Sequence, residues 1–266
     1  HVYWKGKIIG KITPGRNYLN PEIKIISDES LQSKDEHIII SSMSQWLKQE
    51  KKRLLQDLIK IEDPKIENRF VRALCFQLFE NNGVLKRENV DDILKQIDKK
   101  ERHILRQLGI KIGRYHIYQP RMIKPAAITF KAILWNCYYN LSKNESPTFG
   151  LNFIKNFSNQ NKDYLLICGF ETFDNIIIRI DILERLFLKI IELSKQYKFE
   201  LNSEILNLLG CTKDDFKELM NKMNYKCVVK EKKMFFKYYL SKNISNKSKL
   251  KNTTSPFDEL KKIKII

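Results

Sequence analysis

With 266 residues and 42% hydrophobic side chains, the chain is long enough for one large domain or two small ones around a real core. Its formal net charge of +18 and pI near 9.6 point to polyanionic partners. Five scattered cysteines without a C-x-x-C pair or a nearby His argue against a disulfide framework and a zinc site, and the lack of a signal peptide or an apolar run of ~18 residues leads us to expect a cytoplasmic protein.

Lys supplies 38 of the 49 cations, a bias that AT-rich coding alone produces, so local clustering of charge is more informative than its total. The chain begins at His1 rather than Met, which fits a fragment of a longer polypeptide.

In chain order, residues 1–30 read as a β-hairpin segment, with Pro14-Gly15 as a turn and Glu22–Ile26 as a second apolar stretch. Residues 31–142 read as a helical bundle. Apolar residues from Leu31 to Ile61 recur at steps of three and four, which predicts one long helix or two broken near Glu50. Asp63-Pro64 is read as a cap and first position for a helix over Lys65–Asn81, closed by Gly83 in the left-handed conformation. Helices over Arg87–Ile97 and Lys99–Leu108 follow, the second opened by Asp98 and Glu101 at capping-box spacing and ended by Gly109. Ile110–Tyr118 suits a short strand or β-turn unit, and Pro125 opens a helix to about Leu141.

Residues 143–180 read as a polar linker and connector, in which Asp163–Gly169 fits a helix or a strand and Ile176–Ile180 a strand. Residues 181–240 have the order of a winged helix: helix Asp181–Tyr197, helix Ser203–Leu209, a Gly210 turn with Thr212 as N-cap, helix Lys213–Met223, and strands Tyr225–Val229 and Met234–Leu240. Residues 241–266 read as a basic, disordered tail. The expected fold is mainly α with small β elements, a helical bundle followed by a winged-helix-like unit.

The densest functional signal lies between Arg102 and Lys124. Six cations (Arg102, Arg106, Lys111, Arg114, Arg121 and Lys124) stand beside a single carboxylate, Glu101, with Tyr115, His116 and Tyr118 interleaved. Cations beside flat rings hold phosphates and stack bases; alternatively the rings pack inward behind a solvated basic surface. In the winged-helix-like unit, Lys213 and Lys217 are candidates for phosphate contact, and Lys230, Lys232 and Lys233 form a basic tip. Asp214, Asp215 and Glu218 on the same helix would face away from a polyanion or oppose it.

No catalytic constellation appears. Gly6–Ile12 has one residue too few between its glycines for a phosphate loop, and Ile12 stands where a Mg²⁺-binding hydroxyl is needed. Asp35-Glu36-His37-Ile38 follows a polar stretch rather than the apolar strand of a helicase acidic box, and reads as the first turn of a helix. Adjacent carboxylates at Asp91-Asp92 and Asp214-Asp215 diverge on a helix. His116 reads as a core or stacking residue, and Trp4, Trp46 and Trp135 as core anchors.

Several stretches carry a resemblance. G-V-L-x-R at Gly83–Arg87, L-x-x-L-G-I-x-I-G-x-Y-H-I-Y-x-P at Leu105–Pro120 and I-K-P-A-A at Ile123–Ala127 form the central group. V-Y-W-K-G-K-I-I-G-K-I at Val2–Ile12, I-I-R-I-D-I-L-E-R-L at Ile177–Leu186 and L-L-G-C-T-K-D-D-F at Leu208–Phe216 flank it. Together, in this order, they resemble the C-terminal accessory region of superfamily-two ATP-dependent helicases of the mitochondrial-degradosome, suppressor-of-Var type, especially the bacterial branch. The tail after Leu240 is not covered.

The resemblance implies a non-catalytic segment that holds single-stranded RNA or DNA beside the motor domains of the same chain. ATP and Mg²⁺ would belong to that motor, so the parent chain would be a hydrolase although this segment is not. An exoribonuclease is a further implied partner. The rival expectations are an independent winged-helix DNA-binding regulator and a protein-docking scaffold.

Overall fold

The structure is a computed structural model that describes residues 1–4, 7–26, 33–141, 146–158, 161–194, 198–231 and 233–238. Strands β1 (Val2–Trp4), β2 (Lys7–Asn17) and β3 (Asn20–Ile25) form an antiparallel sheet in that order. Helix α1 (Ser33–Leu54) lies on it, with Met43 and Leu47 buried against Val2 and Ile23. The helical pattern over Leu31–Ile61 does break, but at Leu55 rather than near Glu50, and α2 (Gln56–Lys60) follows. Leu55 is fully buried, so packing sets the corner where polarity suggested another.

Helix α3 (Arg69–Glu80) starts later than Asp63-Pro64 predicts. Asn68 is the true N-cap: its side-chain oxygen accepts from the N–H groups of Phe70 and Val71 at 2.7 and 3.2 Å. Gly83 closes the helix with φ +82°, its N–H donating to Leu78 at 2.9 Å. Strand β4 (Val84–Lys86) comes next, and the helix expected over Arg87–Ile97 is only a 3-10 turn, Arg87–Val90, and α4 (Asp91–Lys95).

Helix α5 (Lys99–Gln107) opens with the Asp98/Glu101 capping box. Strands β5 (Lys111–Ile112) and β6 (His116–Tyr118) complete a sheet ordered β4-β6-β5. Helix α6 (Pro125–Tyr138) has Pro125 in its first turn. Leu55, Leu74, Leu78, Leu105, Ile117 and Met122 share the largest core of this part.

Residues 143–180 are more than a linker. Among those described lie β7 (Phe153–Lys155), α7 (Lys162–Ile167), β8 (Phe170–Phe173) and β9 (Ile176–Arg179), with sheet order β7-β9-β8. Strand β9 explains why: Ile176 and Ile178 enter one core, and Ile177 enters another with Tyr164 and Ile128. A strand buried on both faces is apolar throughout and fastens its neighbours together.

Helix α8 (Ile180–Leu193), strand β10 (Lys198–Glu200), helices α9 (Ser203–Leu209) and α10 (Lys213–Lys222), and strands β11 (Tyr225–Lys230) and β12 (Lys233–Tyr238) complete the described chain. Strand β10 joins the final hairpin in the order β10-β12-β11, with Phe199, Phe216 and Phe236 in contact beneath it. Among the described residues the fold is therefore mixed α/β, with helices between four small antiparallel sheets. Of the three tryptophans read as core anchors, Trp135 is half-buried against Tyr18 and Tyr139, whereas Trp46 is 46% exposed; the Trp4 side chain lies outside the described residues. The segment read as a tail, residues 241–266, also lies outside them.

Candidate functional site

The cations of the basic block line more than one hollow, Arg102, Arg106 and Lys111 one and Arg114 another. Arg102 turns its guanidinium to the carbonyls of Leu94 and Ile97, at 3.3 and 3.4 Å, satisfying the end of α4. Arg102, Arg106 and Lys111 line a cavity of about 460 Å³ closed by Gly109, Ile112 and Pro120; among the described residues, no carboxylate lines it. Arg121 pairs at 3.5 Å with Asp57, whose carboxylate lies beside Gly109 at the edge of this cavity, and exposed Lys124 occupies the N-cap of α6.

The rings divide as well. His116 and Tyr118 are only 2% and 1% exposed, so neither offers a face to a base, and the inward reading holds for both. Tyr115 is 43% exposed and leans on Phe187, with ring centroids 4.1 Å apart.

Behind these rings lies a buried ion network. The His116 Nε2 meets Glu171 at 2.7 Å and its Nδ1 meets Glu184 at 3.4 Å. Lys86 reaches the other oxygen of Glu171 at 2.9 Å. Glu184, on α8, also accepts the backbone N–H groups of Arg114, Tyr115 and His116 at 2.5, 2.9 and 2.8 Å. Gly113 makes this possible, because a Cβ there would occupy the space of the carboxylate. The β5–β6 turn is held from the other side by Arg87, whose N–H and guanidinium donate to Tyr115 and Gly113 at 2.8 and 3.1 Å. One carboxylate thus fastens the C-terminal unit to the N-terminal body.

Burial alone would lower the His116 pKa, but hydrogen bonds to Glu171 and Glu184 more than offset it, and the imidazole is held above its ordinary value. Burial raises both carboxylates, yet the bonds from His116 to both, from Lys86 to Glu171 and from the three backbone N–H groups to Glu184 bring each below its ordinary range. The arrangement favours imidazolium between two carboxylates. Its members are engaged with one another, which suits a fastening role rather than acid/base chemistry.

The sequence did hold a sign of this network. Glu184 occupies the same stripe of α8 as buried Ile180 and Phe187, and a lone carboxylate on an apolar stripe demands a distant partner. Glu171 beside Phe170 carried no such pattern.

A second buried charge sits in α6. Lys131 is 0% exposed and donates to the carbonyls of Asn82 and Ile167 at 3.1 and 2.8 Å, joining the ends of α3 and α7. Burial pulls its pKa down to about 8.

In the C-terminal unit, Lys213 and Lys217 are exposed one helical turn apart on α10. Asp215 and Glu218 turn to Lys155 on β7, at 3.0 and 2.7 Å, which draws two of the opposing carboxylates towards another element. At the hairpin tip Lys230 is exposed, Lys233 pairs with Glu200 at 3.0 Å, and Lys232 lies outside the described residues. Among the described residues, no helix is long and apolar enough to cross a membrane. No protein-family model, curated protein or solved structure matches the chain.

Proposed function

We propose that this chain is the C-terminal accessory region of an ATP-dependent superfamily-two helicase of the suppressor-of-Var type, and that it holds single-stranded RNA or DNA without sequence preference. The observation that carries the reading is the cavity lined by Arg102, Arg106 and Lys111 with no carboxylate among its described lining residues. It lies within the stretch that bears the resemblance. Such a wall attracts phosphodiesters whatever bases they carry. ATP hydrolysis belongs to the motor domains, where ATP and Mg²⁺ would bind, and this segment would guide the strand.

The unit from α8 to β12 supports the same role if it is read as a winged helix. Lys213 and Lys217 then lie along a phosphate backbone while Asp215 and Glu218 remain with Lys155.

Filter binding of random-sequence single-stranded RNA and DNA between about 50 and about 200 mM salt tests the reading. Binding should be blind to sequence and fall with salt. The double variant Arg106→Ala/Lys111→Ala should reduce the log–log salt slope by ~1.4, at ~0.7 for each phosphate left without its cation. An unchanged affinity and slope in that variant would overturn the reading, and preference for one duplex sequence would favour the independent regulator.

An apolar groove of about 590 Å³ between β1, β2 and α1, lined by Val2, Ile9, Ile39, Met43 and Trp46, favours a second reading as a protein-docking scaffold. Failure to bind either nucleic acid at low salt would leave that reading standing.

A further inference from the structure

A cleft of about 640 Å³ opens where the β5–β6 turn meets the C-terminal unit. Its volume is within the range of small-molecule sites. Arg114 and Tyr115 line it from the turn and Phe187 and Tyr238 from α8 and β12; between them stand the cations Lys86 and Arg87 and the carboxylates Glu88, Asp91 and Glu171.

Two features distinguish this cleft from an ordinary surface depression. The first is a set of braced tyrosines. Tyr115 and Tyr238 are 43% and 40% exposed, but Phe187 backs Tyr115 at 4.1 Å and Tyr225 backs Tyr238 at 5.1 Å. Tyr225 in turn contacts buried Phe199 at 5.9 Å, so the aromatic series runs from the core to the surface. Braced rings lose little freedom when a flat ligand covers them.

The second feature is the imbalance among the cations. Lys86 is paired with Glu171 and Arg87 with Asp91, at 2.9 and 3.0 Å. Arg114 is exposed, and its guanidinium donates to the Tyr115 hydroxyl rather than pairing with a carboxylate among the described residues. A flat apolar wall beside a guanidinium without a counter-ion is complementary to a base carrying a phosphate.

We propose that this cleft takes one nucleotide, with the base against Tyr115 and Tyr238 and the phosphate on Arg114. The inference rests on the strand-holding reading and adds a second contact, separate from the cavity of Arg102, Arg106 and Lys111. A strand that crosses both would be held by charge at one and by stacking at the other.

The test uses AMP and adenosine as probes, titrated into the whole chain while the tyrosine ring protons are followed by NMR. AMP should shift the Tyr115 and Tyr238 signals and bind roughly tenfold more tightly than adenosine. In Arg114→Ala that ratio should fall to about one, and in Tyr115→Ala both probes should weaken together. Arg114 is exposed, so its truncation leaves the core intact. If AMP leaves the tyrosine signals unmoved, or if Arg114→Ala keeps the ratio, the proposal is overturned, even where oligonucleotides still bind and the strand-holding reading survives. If oligonucleotide binding fails but AMP behaves as described, the cleft stands and the strand-holding reading falls. A glutamate-rich peptide that shifts the same rings where AMP does not would assign the cleft to a protein partner and overturn the proposal.

Discussion

Replacing Glu184 with Gln isolates the fastening between the two halves of the molecule. The side chain is 4% exposed, so its interactions are little screened by solvent. It accepts three backbone N–H groups at 2.5 to 2.9 Å and faces the His116 Nδ1 at 3.4 Å. Hydrogen bonds to a charged group are each worth about 1.5–3 kcal/mol, and Gln retains one acceptor oxygen. What disappears is the negative charge, with its strengthening of the three backbone bonds and its attraction for the imidazolium. We expect a loss of about 3 kcal/mol, at the lower end of the ~3–5 kcal/mol for breaking a buried pair.

The loss should depend on pH in a defined direction. Because the folded-state pKa of His116 is raised, its stabilisation is fully present below its unfolded value of about 6.5 and disappears as pH rises through the folded value. Glu171 and Glu184 are lowered, so their contribution is present above about 4.5 and disappears as pH falls through their folded values. The network is complete only between these limits. The deficit of Glu184→Gln should therefore be larger near pH ~6 than near pH ~9. Urea unfolding followed by helical circular dichroism at both pH values measures it. A deficit below ~1 kcal/mol, or an equal deficit at both pH values, would refute the argument.

Gly113→Ala should cost about 2 kcal/mol in the same unfolding assay, because the new methyl group meets the Glu184 carboxylate, which three N–H bonds hold in place; wild-type stability would show that the turn can yield. Lys131 carries a pH signature of opposite sign. Its folded pKa of about 8 lies below the ordinary 10.5, so the cost of keeping it charged is present below about 8 and is relieved as pH rises towards 10.5. Between those limits the wild type should gain about 3 kcal/mol relative to Lys131→Met, read from denaturant midpoints, and parallel stability curves would show that burial does not perturb the lysine.

Features governed by nearest neighbours were legible in the sequence. The Asp98/Glu101 capping box, Thr212 as the cap of α10, the Gly83 and Gly210 helix ends and the limits of α9 appear where their spacing placed them. Each depends on groups a few residues apart, whose energies are set before the chain meets itself. Strands β4 and β10 were not legible, since three residues carry little periodicity. Strand β10 exists because Phe199 pairs with Phe236, far along the chain. The 143–180 stretch looked like a linker because its polar residues are conspicuous, while β9 acquires its role only between two cores.

The same division runs through the candidate sites. Composition and clustering located the cations from Arg102 to Lys124 and the rings among them, because charge and aromatic character belong to the residues themselves. Which cations share a cavity depended on how α5 and β5 meet, and which rings turn inward on where α8 comes to rest. Glu184 reaches back across 70 residues to the N–H of Arg114, and that contact helps to hold His116 inside and to set Tyr115 at the lip of a cleft. The sequence could display an unsatisfied carboxylate on an apolar helix face; only the folded chain could supply the donors, because burying that charge is tolerable solely where distant backbone and side-chain groups converge on it.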